Sequence, residues 1–180
     1  MITKEKAEEL KEKSLKLLKK AGIIITDEEY KNMEVVDAGL GIPEKIGLQI
    51  IVYENNERYC AKELIMLPRQ TCPQHKHPPT LKTGPGKQET FRCRFGEVYL
   101  YVPGPSTQNP KAIIKERKEY FTVWNEIILK PGQQYTILPD TWHWFQAGDK
   151  GAIVSEFSST SDDATDVFTD PDIKRIPEII

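Results

Sequence analysis

The chain has 180 residues, 38% of them hydrophobic, and a net charge of −2. That is enough apolar content for one domain with a sizeable core, so global disorder is excluded as a reading. Acidic and basic residues are mixed along the chain, which leaves no basic face for nucleic acid or an anionic membrane. No run approaches the roughly 18 consecutive apolar residues of a membrane span.

In chain order, Met1-Ile2-Thr3-Lys4-Glu5-Lys6 carries charge with no apolar stretch behind it, unlike a secretory leader. Residues 4–21 are predicted as a helix, because Leu10, Leu17, Leu18 and Ala21 recur at helical spacing and Gly22 supplies a stop. Its Lys/Glu-rich remainder reads as a solvated face. A second short helix is expected from Thr26, where Thr26 and Glu29 have capping-box spacing. From Gly47 the texture changes to short β-prone runs punctuated by Gly and Pro, at 48–53, 60–67, 88–95, 97–102, 120–129, 134–138, 142–147 and 152–157. That spacing predicts a β-sandwich or barrel, not alternating βαβ units.

Gly96-Glu97 reads as a tight hairpin, and Gly148-Asp149-Lys150-Gly151 as a four-residue turn between 142–147 and 152–157. Pro103 to Ser106 and Asn109-Pro110 mark a loop. The expected division is residues 1–45, a helical segment packing on the barrel, and residues 46–180, the β domain. Cys60, Cys72 and Cys93 are an odd number without paired spacing. They are expected to be buried thiols of a cytoplasmic protein, not a disulfide framework.

The chain has only three histidines, His75, His77 and His143. On a strand, the imidazoles of His75 and His77 project to the same face. Over 88–95, alternation puts Glu89, Phe91, Cys93 and Phe95 on one face, so Glu89 points inward with the apolar side. An inward carboxylate needs a partner, because burying it alone costs too much. A divalent cation shared by His75, His77, Glu89 and His143 supplies one. Imidazole and carboxylate donors without thiolate suit Mn²⁺, Fe²⁺, Co²⁺ or Zn²⁺ and do not choose between them.

The H-x-H pair, then Glu89 and Gly96, with the later Gly132 … Pro139-Asp140-Thr141-Trp142-His143, resembles the two cupin motifs. The gap from His77 to Glu89 is longer than is usual there, and Pro78 to Gly86 is expected to form a loop beside the site. The resemblance implies a mainly β fold, a double-sheet jelly-roll barrel with an N-terminal helical segment. Four stretches make it narrower: Pro73-Gln74-His75-Lys76-His77, Gly86-Lys87-Gln88-Glu89, Leu138 to Phe145, and the tail from Ser155 to Pro171. Together they resemble the cupin-type D-lyxose isomerases. That resemblance implies a homodimeric aldose–ketose isomerase using Mn²⁺. It would interconvert D-lyxose with D-xylulose, and D-mannose with D-fructose, by proton transfer through a metal-stabilised enediolate.

Such chemistry needs a positioned acid–base group. If Ala147 pairs with Ala152 across the expected turn, His143 lies opposite Glu156, and Glu156 becomes the candidate base. Lys87 shares strand parity with Glu89 and is expected to shuttle a proton, its ammonium losing a proton more readily beside a dication. Asp163, Asp166 and Arg175, in the part of the tail that resembles the family, are candidates for holding sugar hydroxyls. Trp142, Trp144 and Phe145 are expected to be core or interface aromatics. The competing readings are a cupin dioxygenase using iron on the same ligands and a non-catalytic sugar-binding cupin. A sugar phosphate is disfavoured, because no Arg and Lys cluster is expected near the ligands.

Overall fold

The computed structural model describes residues 2–176 and residue 180. Helix α1 spans Lys4–Ala21, and the Thr3 hydroxyl accepts the Lys6 N–H at its start. Gly22 ends it in a left-handed turn, its N–H donating to the Leu18 and Lys19 carbonyls. Helix α2, Asp27–Asn32, opens on the reciprocal Thr26–Glu29 capping box that the spacing predicts.

Among the described residues nine strands follow: β1 Glu34–Val36, β2 Leu48–Asn55, β3 Cys60–Met66, β4 Thr71–Lys76, β5 Glu89–Val102, β6 Asn125–Leu129, β7 Gln134–Ile137, β8 His143–Ser158 and β9 Val167–Phe168. The long strands β5 and β8 pair with each other from Glu89↔Ser158 to Tyr101↔Trp144. Their halves belong to different layers. The later half of β8 pairs with β3 and the early half of β5 pairs with β7, so one layer runs β1-β2-β3-β8-β5-β7. The early half of β8 pairs with β4 and the later half of β5 with β6, so the other runs β9-β4-β8-β5-β6. This is a double-sheet jelly roll. Strand β1 falls within residues 1–45 and joins the first layer.

Two turns expected from glycines are bends inside continuous strands. At Gly96-Glu97, β5 does not reverse: its register with β8 shifts between Cys93 and Phe95 and again between Gly96 and Val98. Gly96 has φ 71°, and a β-carbon there would lie 1.9 Å from the Gly151 carbonyl oxygen. The glycine signal therefore marks the place where β5 passes from one layer to the other, against β8. The bulge also turns Phe95 away from Phe91 and Cys93, onto the α1 side beside Leu18 and Ile153. The run 148–151 is likewise interior to β8, so no hairpin separates 142–147 from 152–157. The run 120–129 is shorter than expected. A 3₁₀ turn occupies Lys118–Tyr120, and the strand begins only at Asn125.

The core between the layers is built from Leu48, Ile50, Leu64, Phe91, Leu100, Phe145 and Val154 among others. Helix α1 covers the outside of the first layer through Leu18 on Ile51, Ile65 and Ile153. The segment between β5 and β6 folds over the second layer. There Trp144 stacks on Tyr101 at 3.9 Å and donates its indole N–H to the Val123 carbonyl. Trp144 and Phe145 are thus core residues on opposite faces of β8, and Trp142 lies under the Lys76 ammonium at 5.3 Å.

Candidate active site and metal centre

At one end of the interlayer core the apolar pattern gives way to charge. Strand β4 delivers His75, and the residue after its end is followed immediately by the loop 78–86. His75 pairs across the sheet with His143, the first residue of β8. His77 completes a cluster in which the ring centroids lie 4.2 to 5.5 Å apart. One ligand atom from each ring falls within 4.8 Å of the others. Gly86 brings the far end of the loop back onto the site, since a β-carbon there would stand 2.4 Å from the His77 carbonyl oxygen. Lys87 and Glu89 follow it into the interior, both buried.

The hydrogen bonds of the rings show what the cluster can hold. His75 Nδ1 lies 2.8 Å from the Pro73 carbonyl oxygen, and His143 Nδ1 lies 2.9 Å from that of Thr141. A carbonyl only accepts, so the hydrogen sits on Nδ1 and Nε2 presents a lone pair. His77 Nδ1 meets the Asp166 carboxylate at 2.5 Å. Glu89 Oε1 stands 2.9 Å from His143 Nε2 and 3.5 Å from His77 Nε2. Yet none of these three buried atoms has a hydrogen-bond partner of acceptable geometry. The lone pair on His143 Nε2 and the Glu89 oxygen, facing each other at 2.9 Å in a dry interior, repel unless a cation lies among them. His75, His77, His143 and Glu89 therefore fit a divalent ion, each ring oriented by the bond its other nitrogen makes. Burial and the other two rings hold the His75 imidazole well below its usual range. Burial and Lys87 push His77 down, but Glu89 and Asp166 outweigh them and keep it up at about 9.

Lys87 Nζ lies 2.7 Å from Glu89 Oε2 and 2.7 Å from Glu156 Oε1, linking the cluster to Glu156. The Ser158 hydroxyl donates to that same Glu156 oxygen at 3.1 Å. Burial pushes Lys87 down, but Glu156, Glu89 and Asp163 outweigh it and hold the ammonium charged. Glu89 is held well below its usual range, burial being overcome by Lys87, His77 and His143.

The route by which Glu156 reaches the site differs from the one expected. His143 pairs with His75, whereas Glu156 pairs with Lys62 of β3 and Phe91 of β5. The two residues lie on different halves of β8, hence in different layers, and are joined through Glu89 and Lys87.

The tail residues form an ion network. Asp163 accepts from Lys62 Nζ at 2.9 Å and from an Arg175 guanidinium N–H at 2.5 Å. Burial pushes the Asp163 carboxyl up, and Lys62, Arg175 and Lys87 hold it far below the usual range. Asp166 is committed to His77, with Arg175 Nε 3.8 Å away. Lys62, 3% exposed, is the site residue that sequence reasoning missed. Its signal was present: Cys60, Lys62, Leu64 and Met66 alternate along β3, so Lys62 points inward by the same argument that placed Glu89. The expectation of no basic cluster is corrected too. Lys62, Lys87 and Arg175 all line the chamber, but each is matched by Glu89, Glu156, Asp163 or Asp166.

A jelly roll carrying three inward histidines and a glutamate at one end of its core has the architecture of a cupin, with donors that could hold a metal. The family model described as D-lyxose isomerase matches residues 105–180. A D-lyxose ketol-isomerase of Thermofilum sp. is 65% identical over 100% of both chains. A D-lyxose/D-mannose isomerase of Thermosediminibacter oceani is 62% identical over 99% of each, and a D-lyxose ketol-isomerase of Cohnella laeviribosi 52% over 95% of this chain and 94% of that one. The chain belongs to the D-lyxose isomerase family. Among solved structures, the L-ribose isomerase of Cellulomonas parahominis superposes with a TM-score of 0.78 at 14% identity, covering 96% of this chain and 94% of that one. The Acinetobacter sp. DL28 L-ribose isomerase gives 0.77 at 16% identity, with the same coverage. These two likenesses speak to the fold alone.

Proposed function

We propose that the protein is a metal-dependent aldose–ketose isomerase that interconverts D-lyxose with D-xylulose and D-mannose with D-fructose. The observation that carries this reading is the continuous chain from the histidine cluster through Glu89 and Lys87 to Glu156. It sets an acid–base carboxylate beside a cation site in one buried chamber. A divalent ion held by His75, His77, Glu89 and His143, with Mn²⁺ as the metal, would supply a Lewis acid for the sugar oxygens at C1 and C2. Glu156 takes the proton from C2 of the aldose and returns it to C1. Lys87 holds the Glu156 carboxylate in place and relays the hydroxyl proton, giving one to the C1 oxygen and recovering one from the C2 hydroxyl, so that its ammonium is restored. Asp163, Asp166 and Arg175 bound the sugar's outer hydroxyls, with Asp166 also fixing the tautomer of His77. We further propose that the protein works in the cytoplasm as a homodimer, on free monosaccharide.

The paired state of the three chamber cations supports an unphosphorylated substrate. A phosphate would have to displace a carboxylate from Lys62, Lys87 or Arg175 to gain a cationic partner. The expected result is isomerisation of free D-lyxose and D-mannose, whose C2 and C3 hydroxyls are cis, in preference to their phosphates. Measured kcat/KM higher on mannose 6-phosphate than on either free sugar would contradict it.

A further inference from the structure

The chamber around Lys87, Glu89 and Glu156 has a volume of about 40 Å³. One water in the liquid takes about 30 Å³, and pockets that enclose small molecules start near 300 Å³. A monosaccharide does not fit this space as it stands, so side chains or a wall must move to admit one. A groove of about 760 Å³ lies outside that wall, floored by Ala7, Met33 and Val35 and rimmed by Lys11 and Glu34. Asp163 and Arg175 are the two residues that line both spaces.

The segment carrying Asp163 is tied down on either side and loose between. Before it, Ser161 exchanges two hydrogen bonds with the Asn55 amide, each 3.1 Å. After it, Val167 pairs with Lys76 of β4, and the Thr169 N–H donates to the Gln74 carbonyl at 3.2 Å. Among the described residues, the backbone hydrogen bonds of 162–166 are internal: Thr165 N–H to Asp162 O, and Asp166 N–H to Asp163 O. What holds the segment to the body is charge. Asp163 grips Lys62 and Arg175, Asp166 grips His77, and Asp162 stands 3.5 Å from Lys82. A wall held by side-chain ion pairs, without a backbone ladder, belongs to the low-stability part of a fold.

We propose that the groove is the entrance for the sugar and that residues 162–166 form its door, latched by the Asp163–Arg175 ion pair. The inference rests on the isomerase reading for the identity of the visitor. A neutral polyol suits this door, because its hydroxyls donate to the Asp163 carboxylate in place of the guanidinium.

The test uses Cys72, a buried thiol that lines the chamber, as a reporter of access, with Cys93 in the core as the control for global unfolding. The full chain is treated with iodoacetamide, and labelling of each cysteine is followed by peptide mass spectrometry. Arg175→Met removes the latch and is expected to raise the Cys72 rate roughly tenfold or more while leaving Cys93 unchanged. Ala164→Trp fills the groove from its exposed wall and is expected to slow Cys72 labelling by roughly fivefold or more. If either folded variant labels Cys72 at the wild-type rate, the door is elsewhere. Ketose formation by the wild-type chain is assayed in parallel. Labelling that follows the two variants in a chain that forms no ketose would keep the door and remove the isomerase reading.

Discussion

Glu156→Gln is expected to lower kcat by about 10²–10⁴, the usual range for a lost general base, with metal content and fold retained. Gln keeps the size of the side chain and its hydrogen bond from Ser158, so such a loss reports proton transfer and not altered packing. Part of the cost falls on Lys87, whose ammonium loses one of the two carboxylates that flank it. A shift in KM without a fall in kcat would mark Glu156 as a binding group instead. Product formed in D₂O separates the routes further. A carboxyl proton can exchange with solvent during turnover and leave deuterium at C1 or C2, whereas a direct hydride shift leaves none. An unlabelled product together with a nearly unimpaired Glu156→Gln enzyme would remove this carboxylate from the mechanism.

His143→Ala is expected to abolish stoichiometric metal and to take activity to background, and His75→Ala and His77→Ala to do the same. His143 is fully buried, with its Nε2 facing Glu89. Its loss removes one of four converging donors and opens a void that water can fill. The β domain should persist in far-UV circular dichroism, because much of its core, Met66, Val98, Leu100 and Val154 among others, does not line the chamber. Elemental analysis is the check. A full equivalent of metal in all three variants would dispose of the site.

The residues of this site were legible to very different degrees. His75, His77, Glu89 and the two capped helices follow from local rules: period-two alternation, the scarcity of histidine, and capping geometry act over a few residues. Lys62 obeys the same alternation. It is recognisable once an inward lysine on an apolar face is treated like an inward glutamate. The path of β5 and β8 was not legible. A glycine at positive φ serves a hairpin and a bulge equally well, and only packing against Gly151 decides that Gly96 is a bend. The register argument for Glu156 failed with the hairpin on which it stood. Glu156 still lines the chamber, but it is joined to His143 through Lys87 and Glu89 and not across a shared hairpin. The tail was legible only by resemblance. Its charges are set by partners far away in sequence, Asp163 by Lys62 and Asp166 by His77.

The central claim is that this chamber isomerises free aldoses with a bound divalent ion. It is tested most directly by ketose formation over a panel of free aldoses, using one preparation before and after removal of metal and again after reloading with Mn²⁺. The loaded protein is expected to form xylulose from D-lyxose and fructose from D-mannose, the stripped protein only background, and reloading to restore the activity. Equal ketose formation by the stripped and loaded protein, or none by the loaded protein on any aldose of the panel, would contradict it.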